Sequence, residues 1–561
     1  MKIITLPFAC ASLAALFAAN LALAQSPTAT ILLPARNAHV VARNTNVAAT
    51  LSQALPTGTV PALKVFSQQA GGQKAGATTV GGSTVTFNPT TDFKPGETVT
   101  ASLSVSSATP AQVWQFTAAA TGGTGTFGPG LAATNAGTGN IEIGDIDNDG
   151  DLDVLSVGTQ TVTVYRNSGT GQLVASGSVS ASNVAAIRIA DVDGDGDLDL
   201  LATNVDITTI RYRVTLFRND GTGTFTQSTS TDIGNTAQFL SRIAVADVDA
   251  DGDLDMLYSL TSANNQLVVH LNNGTGTFNS PLAPVVVAST ARTVQHMLAD
   301  VDNDGDLDAI GITNDVSGGP QVYFNNGAGL FSAPVSYQAS NYSGGMVLGD
   351  IDNDGDLDIA VPEFTSNSVI RLLLNNGNGV FTAGPLVPAG NAASTLALGD
   401  LNGDGSLDMI VAGNQISVLL NSGNATFTPN PTVTLANAQH DGLALVDMDG
   451  DGDLDITTKA GGIIYVSLNQ GTVASTKPEA ATALQVWPNP AAASTALHLQ
   501  LAAPTTAARA ILHTVLGQAV REHSFSGSTT DVPLTGLSRG VYLLAVHPDQ
   551  QPPITRRVVI E

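Results

Sequence analysis

The stretch GDIDNDGDLDV, residues 144–154, places aspartates on alternate positions, at Asp145, Asp147, Asp149, Asp151 and Asp153, with no lysine or arginine among them. Two carboxylates about 5 Å apart repel by roughly 3 kcal/mol at an effective dielectric of 20, so four converging ones would cost up to about 20 kcal/mol. No ordered turn withstands that without a counter-ion. In a nine-residue loop with glycine sixth, the odd positions point inward while Gly150 supplies the backbone angles that curl the chain. Asp145, Asp147, Asp149 and Asp153 then offer carboxylates and Asp151 its backbone carbonyl, while Ile146 and Leu152 face the other way. Hard oxygen donors without imidazole or thiolate select Ca2+, since Mg2+ keeps its waters and a tighter octahedron. An EF-hand would need flanking helices and a glutamate at position twelve.

The loop recurs six times, always with leucine eighth. The copies are Asp191, Asp193, Asp195, Asp197 and Asp199; Asp247, Asp249, Asp251, Asp253 and Asp255; Asp300, Asp302, Asp304, Asp306 and Asp308; Asp350, Asp352, Asp354, Asp356 and Asp358; Asp400, Asn402, Asp404, Ser406 and Asp408; and Asp447, Asp449, Asp451, Asp453 and Asp455. The expectation is up to seven structural Ca2+ ions, because four carboxylates and a carbonyl leave little room for a substrate oxygen. The net charge of −26 is explained by the same loops, which hold 33 of the 47 acids. The other 14 acids face 21 bases, so acidity here is local and not a global field. No basic stripe or aromatic-interleaved patch exists, which argues against a nucleic-acid partner.

The first aspartates of successive loops lie 46, 56, 53, 50, 50 and 47 residues apart, a period that suits four short strands and their turns. Alternating stretches such as RIAVADV and DLLATN flank each loop, and a third runs into an asparagine turn, as in VVHLNNGTGTF, whose phenylalanine opens a fourth. The last repeat stops at YVSLNQGT, residues 465–472, without its final strand, whereas the array begins with an orphan TGTGTFGPG containing Phe127. The two halves make one unit, and a first strand that completes the last blade closes a ring and removes exposed sheet edges. Residues 122–471 therefore read as a seven-bladed β-propeller. With 57 glycines and only 12% charged residues, the whole chain reads as all-β, the propeller being flanked by an N-terminal Ig-like β-sandwich and a small C-terminal β-sandwich.

Residues 1–24 read as a secretory signal peptide, with Lys2, an apolar run and the small-residue site Ala22, Leu23, Ala24. Cys10, the only cysteine, falls inside it, so no disulfide staples the mature chain. No other segment is apolar and long enough for a transmembrane anchor.

The DxDxDGxxD loop followed by a strand and NxGxGxF resembles the VCBS/FG-GAP repeat family and the propeller of integrin α subunits. That resemblance implies calcium loops on one face and a role in extracellular adhesion or carbohydrate-associated proteins, with some relatives acting as lyases. Residues 27–118, from ATILLPARNAHVVARNTNVAATLS to TVTFNPTTDFKPGETVTASLSV, resemble bacterial Ig-like domains. After a linker at 472–483, residues 484–561 resemble the C-terminal sorting domain of type IX secretion, carried by Trp487, Pro488, Asn489, Pro490, Gly517, Leu537, Gly540 and Tyr542. The type IX machinery is then an implied partner, and the cell surface or medium the implied address.

In an up-and-down blade the calcium loops and asparagine turns share one face, which leaves the opposite loops for recognition. Arg211, Tyr212, Tyr342, Glu363 and Phe364 in those loops are the ligand candidates, for an extracellular glycan or protein. A lyase built on the propeller and a structural spacer are the alternatives. The propeller's own histidines, His270, His296 and His440, show no metal-ligand spacing, and no HExxH, GxSxG or phosphate-cradling loop occurs. The sixth loop, with fewer charges, is expected to bind Ca2+ most weakly. Calcium titration should find a smaller loss of total affinity in Asp404→Ala than in Asp149→Ala; the reverse order would refute the ranking.

Overall fold

The computed structural model describes residues 27–470 and 484–560, apart from short stretches that include 106–110, 314–318, 338–344, 364–368, 434–439, 488–495 and 515–518. Residues 1–24, read above as a signal peptide, and the linker expected at 472–483 lie outside the described residues. Every named element is a β-strand. The chain divides into two units, residues 1–470 and 471–561.

The first unit opens with a β-sandwich. One sheet orders Ala29–Leu33, Val47–Leu51, Thr84–Pro89 and Gly76–Gly81; the other orders Gly72–Gln73, Ala62–Ser67, Thr98–Ser104 and Gln112–Thr117. Alternation along these strands drives Val47, Ala49, Val65, Val85, Val99, Ala101, Trp114 and Phe116 into a shared core around Phe93.

Seven antiparallel meanders of four strands follow among the described residues, beginning at Ile141, Val184, Phe239, Thr293, Val347, Thr395 and His440. In the third, the first strand is broken into Phe239–Leu240 and Ala244–Ala246. The last meander has three strands of its own; its fourth is Leu131–Thr134, which pairs with Ile463–Ser467 in the register Leu131↔Val466 to Thr134↔Ile463. Phe127 bridges Asn469 just beyond. First strands of neighbouring sheets contact one another and so lie innermost. Apolar clusters fill the gaps between sheets, and one of them joins Val446, Met448, Ile464 and Val466 of the last sheet to Ile143, Val154 and Tyr165 of the first. The sheets therefore form a closed ring, with the core spread between neighbours instead of gathered at one centre.

A polar stitch repeats at every interface. Asn219 donates from Nδ2 to the Ile146 carbonyl of the preceding sheet, at 2.8 Å, and to the Leu198 carbonyl of its own, at 3.2 Å. Asn272, Asn325, Asn375 and Asn421 bond in the same way to Val192, Val248, Val301 and Ile351. Asn469 reaches Leu401, and Asn167 of the first sheet reaches Met448 of the last, so the same bond closes the ring. The orphan segment joins in, Gly125 N donating to the Leu401 carbonyl at 3.0 Å, where Gly171, Gly276, Gly329, Gly379 and Ala425 do the same from their own asparagine turns.

The second unit is built on one long strand, Ala496–Thr514, which pairs with Leu484–Trp487, Ala519–Pro533 and Gly540–Pro548; Ile554–Ile560 adds to the last of these. Register shifts between Gln500 and Ala508 divide the long strand, and Leu497, Leu499, Leu512, Val532, Leu544, Val546 and Val558 form its core.

Removing the stitch at Asn325 strips the Leu307 carbonyl of its side-chain donor and the Asn326 N–H of its acceptor, at a cost of about 1–3 kcal/mol. Asn325→Ala is expected to lower the melting temperature of the ring by several degrees in scanning calorimetry. Asn326→Ala, whose side chain is exposed, should leave it nearly unchanged.

Candidate metal centres

Each acidic loop connects the first and second strands of a sheet and lies beside the asparagine turn. The glycine at position six has positive φ in all seven, from 87° at Gly405 to 104° at Gly305, as the curled backbone requires. Position four is also left-handed, at Asn148, Gly194, Ala250, Asn303, Asn353, Gly403 and Gly450. That explains the asparagine or glycine found there in all but one copy. Ala250 is the exception, and its methyl is buried with Val113, Ala246 and Leu307.

The aspartates have separate roles. Position nine is buried and accepts two backbone N–H bonds, as when Asp199 takes one from Asn219 at 3.0 Å and one from Val192 at 3.4 Å. It braces the loop against the asparagine turn as well as facing the loop interior. Position one accepts the N–H of the sixth-position glycine, as in Asp247 from Gly252 at 2.9 Å. Its other oxygen is orphaned and buried in Asp145, Asp247 and Asp300, and so is Oδ1 at position three in Asp147, Asp193 and Asp352. Position five accepts the N–H of position seven. Position seven turns its carboxylate away, towards the glycine of the asparagine turn, as Asp151 does beside Gly169, which suits a residue offering only its carbonyl.

Carboxylate oxygens of Asp145, Asp147 and Asp149 lie within 4.8 Å of one another, as do those of Asp191, Asp193 and Asp199, of Asp247, Asp249 and Asp251, of Asp300, Asp302 and Asp304, and of Asp350, Asp352 and Asp358. Converging oxygens with buried orphan lone pairs match the donor set of a hard divalent cation.

Two features of this face are not apparent from the repeats. Arg166 pairs with Asp147, and Arg218 Nη1 lies 2.5 Å from Asp193. Both arginines precede the turn asparagine, where the later repeats carry leucine or phenylalanine, and that substitution was the available signal. The second feature is larger: the N-terminal sandwich is seated on the acidic loops and touches all seven. Gln69 O accepts from Asp145 N, and Lys94 bonds the Gly150 carbonyl. Gln73 N donates to Asp191 at 3.0 Å, and Lys64 Nζ lies 2.9 Å from Asp253. Arg36 pairs with Asp300, His39 lies 3.5 Å from Asp350 and 3.0 Å from the Gly405 carbonyl, and Gly96 packs on Leu454. Arg36, Lys64, Lys94 and His39 thus meet the acids from outside.

The ligand candidates do not form one group. Arg211 is exposed, at the hairpin between Asp199–Asp206 and Arg211–Asn219, whereas Tyr212 packs partly into the cluster between the second and third sheets. Glu363 is a correction: it is buried and bonded to Arg371, so its carboxylate faces a neighbouring strand and not a ligand. Tyr342 and Phe364 lie outside the described residues. The histidines are internal, His270 bonded to Tyr258 at 3.0 Å, His296 to Ser259 at 2.7 Å and His440 to Thr458 at 3.2 Å. Burial pushes His296 down to about 3, so it stays neutral near pH 7.

With this geometry in hand, a model for the FG-GAP-like repeat matches residues 145–202, 205–258, 300–361, 364–411 and 400–458, which include all seven loops. A bacterial Ig-like domain model matches 24–118, and a secretion system C-terminal sorting domain model matches 485–561. The chain carries FG-GAP repeats between a bacterial Ig-like domain and a sorting domain. No curated protein matches the sequence. Among solved structures, the Dos1 propeller is similar at 9% identity and a TM-score of 0.36, covering 62% of this chain and 94% of that one. The extracellular domain of BT3049 from B. thetaiotaomicron is similar at 9% identity and a TM-score of 0.36, covering 93% and 72%. The sorting domain assigns the chain to the cell surface or the medium, and among the described residues no helix is long and apolar enough to cross a membrane.

Burial raises the position-nine carboxyls of the FG-GAP loops despite their N–H bonds, to about 7 in Asp153, Asp199, Asp358 and Asp408, about 8 in Asp255 and Asp308, and about 9 in Asp455. Folding then takes up protons, so their contribution to stability is fully present below the ordinary carboxylate value near 4 and is lost as pH rises through about 7 to 9. In excess chelator, calorimetry should show the melting temperature falling between pH 5 and pH 8. A rise over that interval would contradict the assignment.

Proposed function

We propose that the acidic loops bind Ca2+ as structural ions and that the protein is an extracellular binding or adhesion module for a glycan or protein ligand, exported after removal of its signal peptide. The single observation that carries the metal reading is the set of buried carboxylate oxygens without donors, repeated around the ring at Asp145, Asp147, Asp193, Asp247, Asp300 and Asp352. A divalent ion satisfies them at once, where protonation would satisfy them only in part. A site filled at one hundred times its dissociation constant adds about 2.7 kcal/mol, so four such sites supply about 11 kcal/mol, the scale of a whole domain's stability.

The sandwich covers the loop face, which leaves the far face, with Arg211 and the longer loops, for a partner. The interior, hydrogen-bonded histidines favour binding over base catalysis. Purified protein should contain calcium by elemental analysis, and chelation should lower its melting temperature by more than 10 °C, restored by Ca2+ in excess over Mg2+. The full chain on a glycan and matrix-protein array should retain a ligand without releasing cleavage products. Metal-free folded protein with an unchanged melting temperature would overturn the metal reading, and product release would overturn the binding one.

A further inference from the structure

Some of the acidic loops are bonded to their neighbours. Asn148, at position four of the first loop, donates from Nδ2 to Asp197 Oδ1 of the second at 2.6 Å. Asn303 of the fourth loop does the same to Asp356 Oδ1 of the fifth at 3.0 Å, and also reaches the Gly377 carbonyl at 3.2 Å. Both acceptors stand at position seven, and their carboxylates lie against the turn glycines Gly221 and Gly377. One loop thus grips the residue that offers its backbone carbonyl in the next.

Two arginines add a second kind of bridge. Arg166 ties Asp147 of the first loop to the Thr222 carbonyl in the asparagine turn of the second sheet. Arg218 ties Asp193 of the second loop to the Thr275 carbonyl in the turn of the third, at 2.5 Å on both sides. Each of these turns holds its own loop at position nine, Asn219 N donating to Asp199 and Asn272 N to Asp255. The Asp147 and Asp193 side chains are only 10% and 8% exposed, and each keeps a buried Oδ1 without a donor. The arginine takes one oxygen and leaves the other to a cation.

The bridges do not run round the whole ring. The corresponding residues are Ala250 and Leu271 between the third and fourth loops, Gly403 and Leu420 between the sixth and seventh, and Gly450 and Leu468 between the seventh and first. None of these has a side-chain donor. Between the fifth and sixth, Asn353 lies beside Gly423, but the next loop carries Ser406 in place of the carboxylate.

We propose that the calcium sites are coupled in two groups, the first three loops and the fourth with the fifth, with Asn148, Arg166, Arg218 and Asn303 as positioning residues. An ion in the first loop fixes Asp147 and Asp149. Asn148 stands between them, so its amide is fixed as well and holds Asp197 with its carbonyl available to the second ion. Arg166 carries the same constraint to the turn beside the second loop. The coupling is reciprocal, so filling the second loop favours the first. This rests on reading the loops as calcium sites and adds how their filling is regulated.

Hydrogen–deuterium exchange with mass spectrometry on the full chain, over a series of free calcium concentrations, reads the calcium midpoint of each loop separately. Asp149→Ala disables the first loop, with Asp149→Asn as a milder version, and protection of the untouched fourth loop shows that the ring is still folded. Residues 191–199 should then need about threefold more calcium, while residues 300–308 keep their midpoint. Rewriting the seam with residues that other repeats carry, in Asn148→Gly with Arg166→Leu, should abolish the effect of Asp149→Ala on residues 191–199. Asp251→Ala in the third loop should leave residues 300–308 unchanged. An unshifted midpoint at 191–199, or a shift that persists in the rewritten seam, would overturn the bridges. An equal shift in every loop would overturn them too, since it would trace the coupling to the sandwich. Protection that ignores calcium in all loops would instead overturn the metal reading.

Discussion

The ring depends on one interaction repeated at every seam, the buried asparagine whose side-chain amide reaches the backbone of the preceding sheet. Asn219 to Ile146 and Asn167 to Met448 are the same bond, although the second joins sequence positions 281 residues apart. Each asparagine also donates its backbone N–H to the position-nine aspartate of its own acidic loop, as Asn219 does to Asp199. Packing between sheets, closure of the ring and the shape of the loops are thus coupled through one residue per repeat. A buried amide satisfied on several sides is costly to replace, because its loss strands the carbonyl of its own loop and the N–H of its own turn, as at Leu307 and Asn326.

The charge distribution follows from the same geometry. Position-one and position-nine aspartates are pinned by backbone N–H groups deep in the ring, so their carboxylates lose solvent while remaining close to their neighbours. The protein answers in two visible ways: arginines of its own ring against Asp147 and Asp193, and Arg36, Lys64, Lys94 and His39 brought by the sandwich. The sandwich is therefore part of the acidic face and not a spacer beside it. Phe66, Ser67, Thr98 and Gln115 of the sandwich line the cavity inside the ring together with the inner strands.

Much of this was legible in the chain. The spacing of the loops, the glycine at position six and the split between Phe127 and the last repeat are local or periodic features, and periodic patterns survive folding unchanged. Glu363 shows the limit: a carboxylate in a variable loop reads as available, yet Arg371 on the paired strand takes it. Position nine shows another, since alternation alone ranks Asp153 with Asp147 as a ligand and cannot reveal the two backbone bonds it accepts.

The sequence by itself determined the repeat, the strand order within each sheet, the chemistry offered by the loops and the address carried by the sorting domain, because each is written in consecutive residues. Only the tertiary structure decided that the sandwich covers the acidic face and that Glu142 and Arg188, from different sheets, pair beside the cavity inside the ring. Those facts depend on which surfaces meet after the chain has turned through the whole ring. Residues far apart in sequence carry no local mark of that meeting.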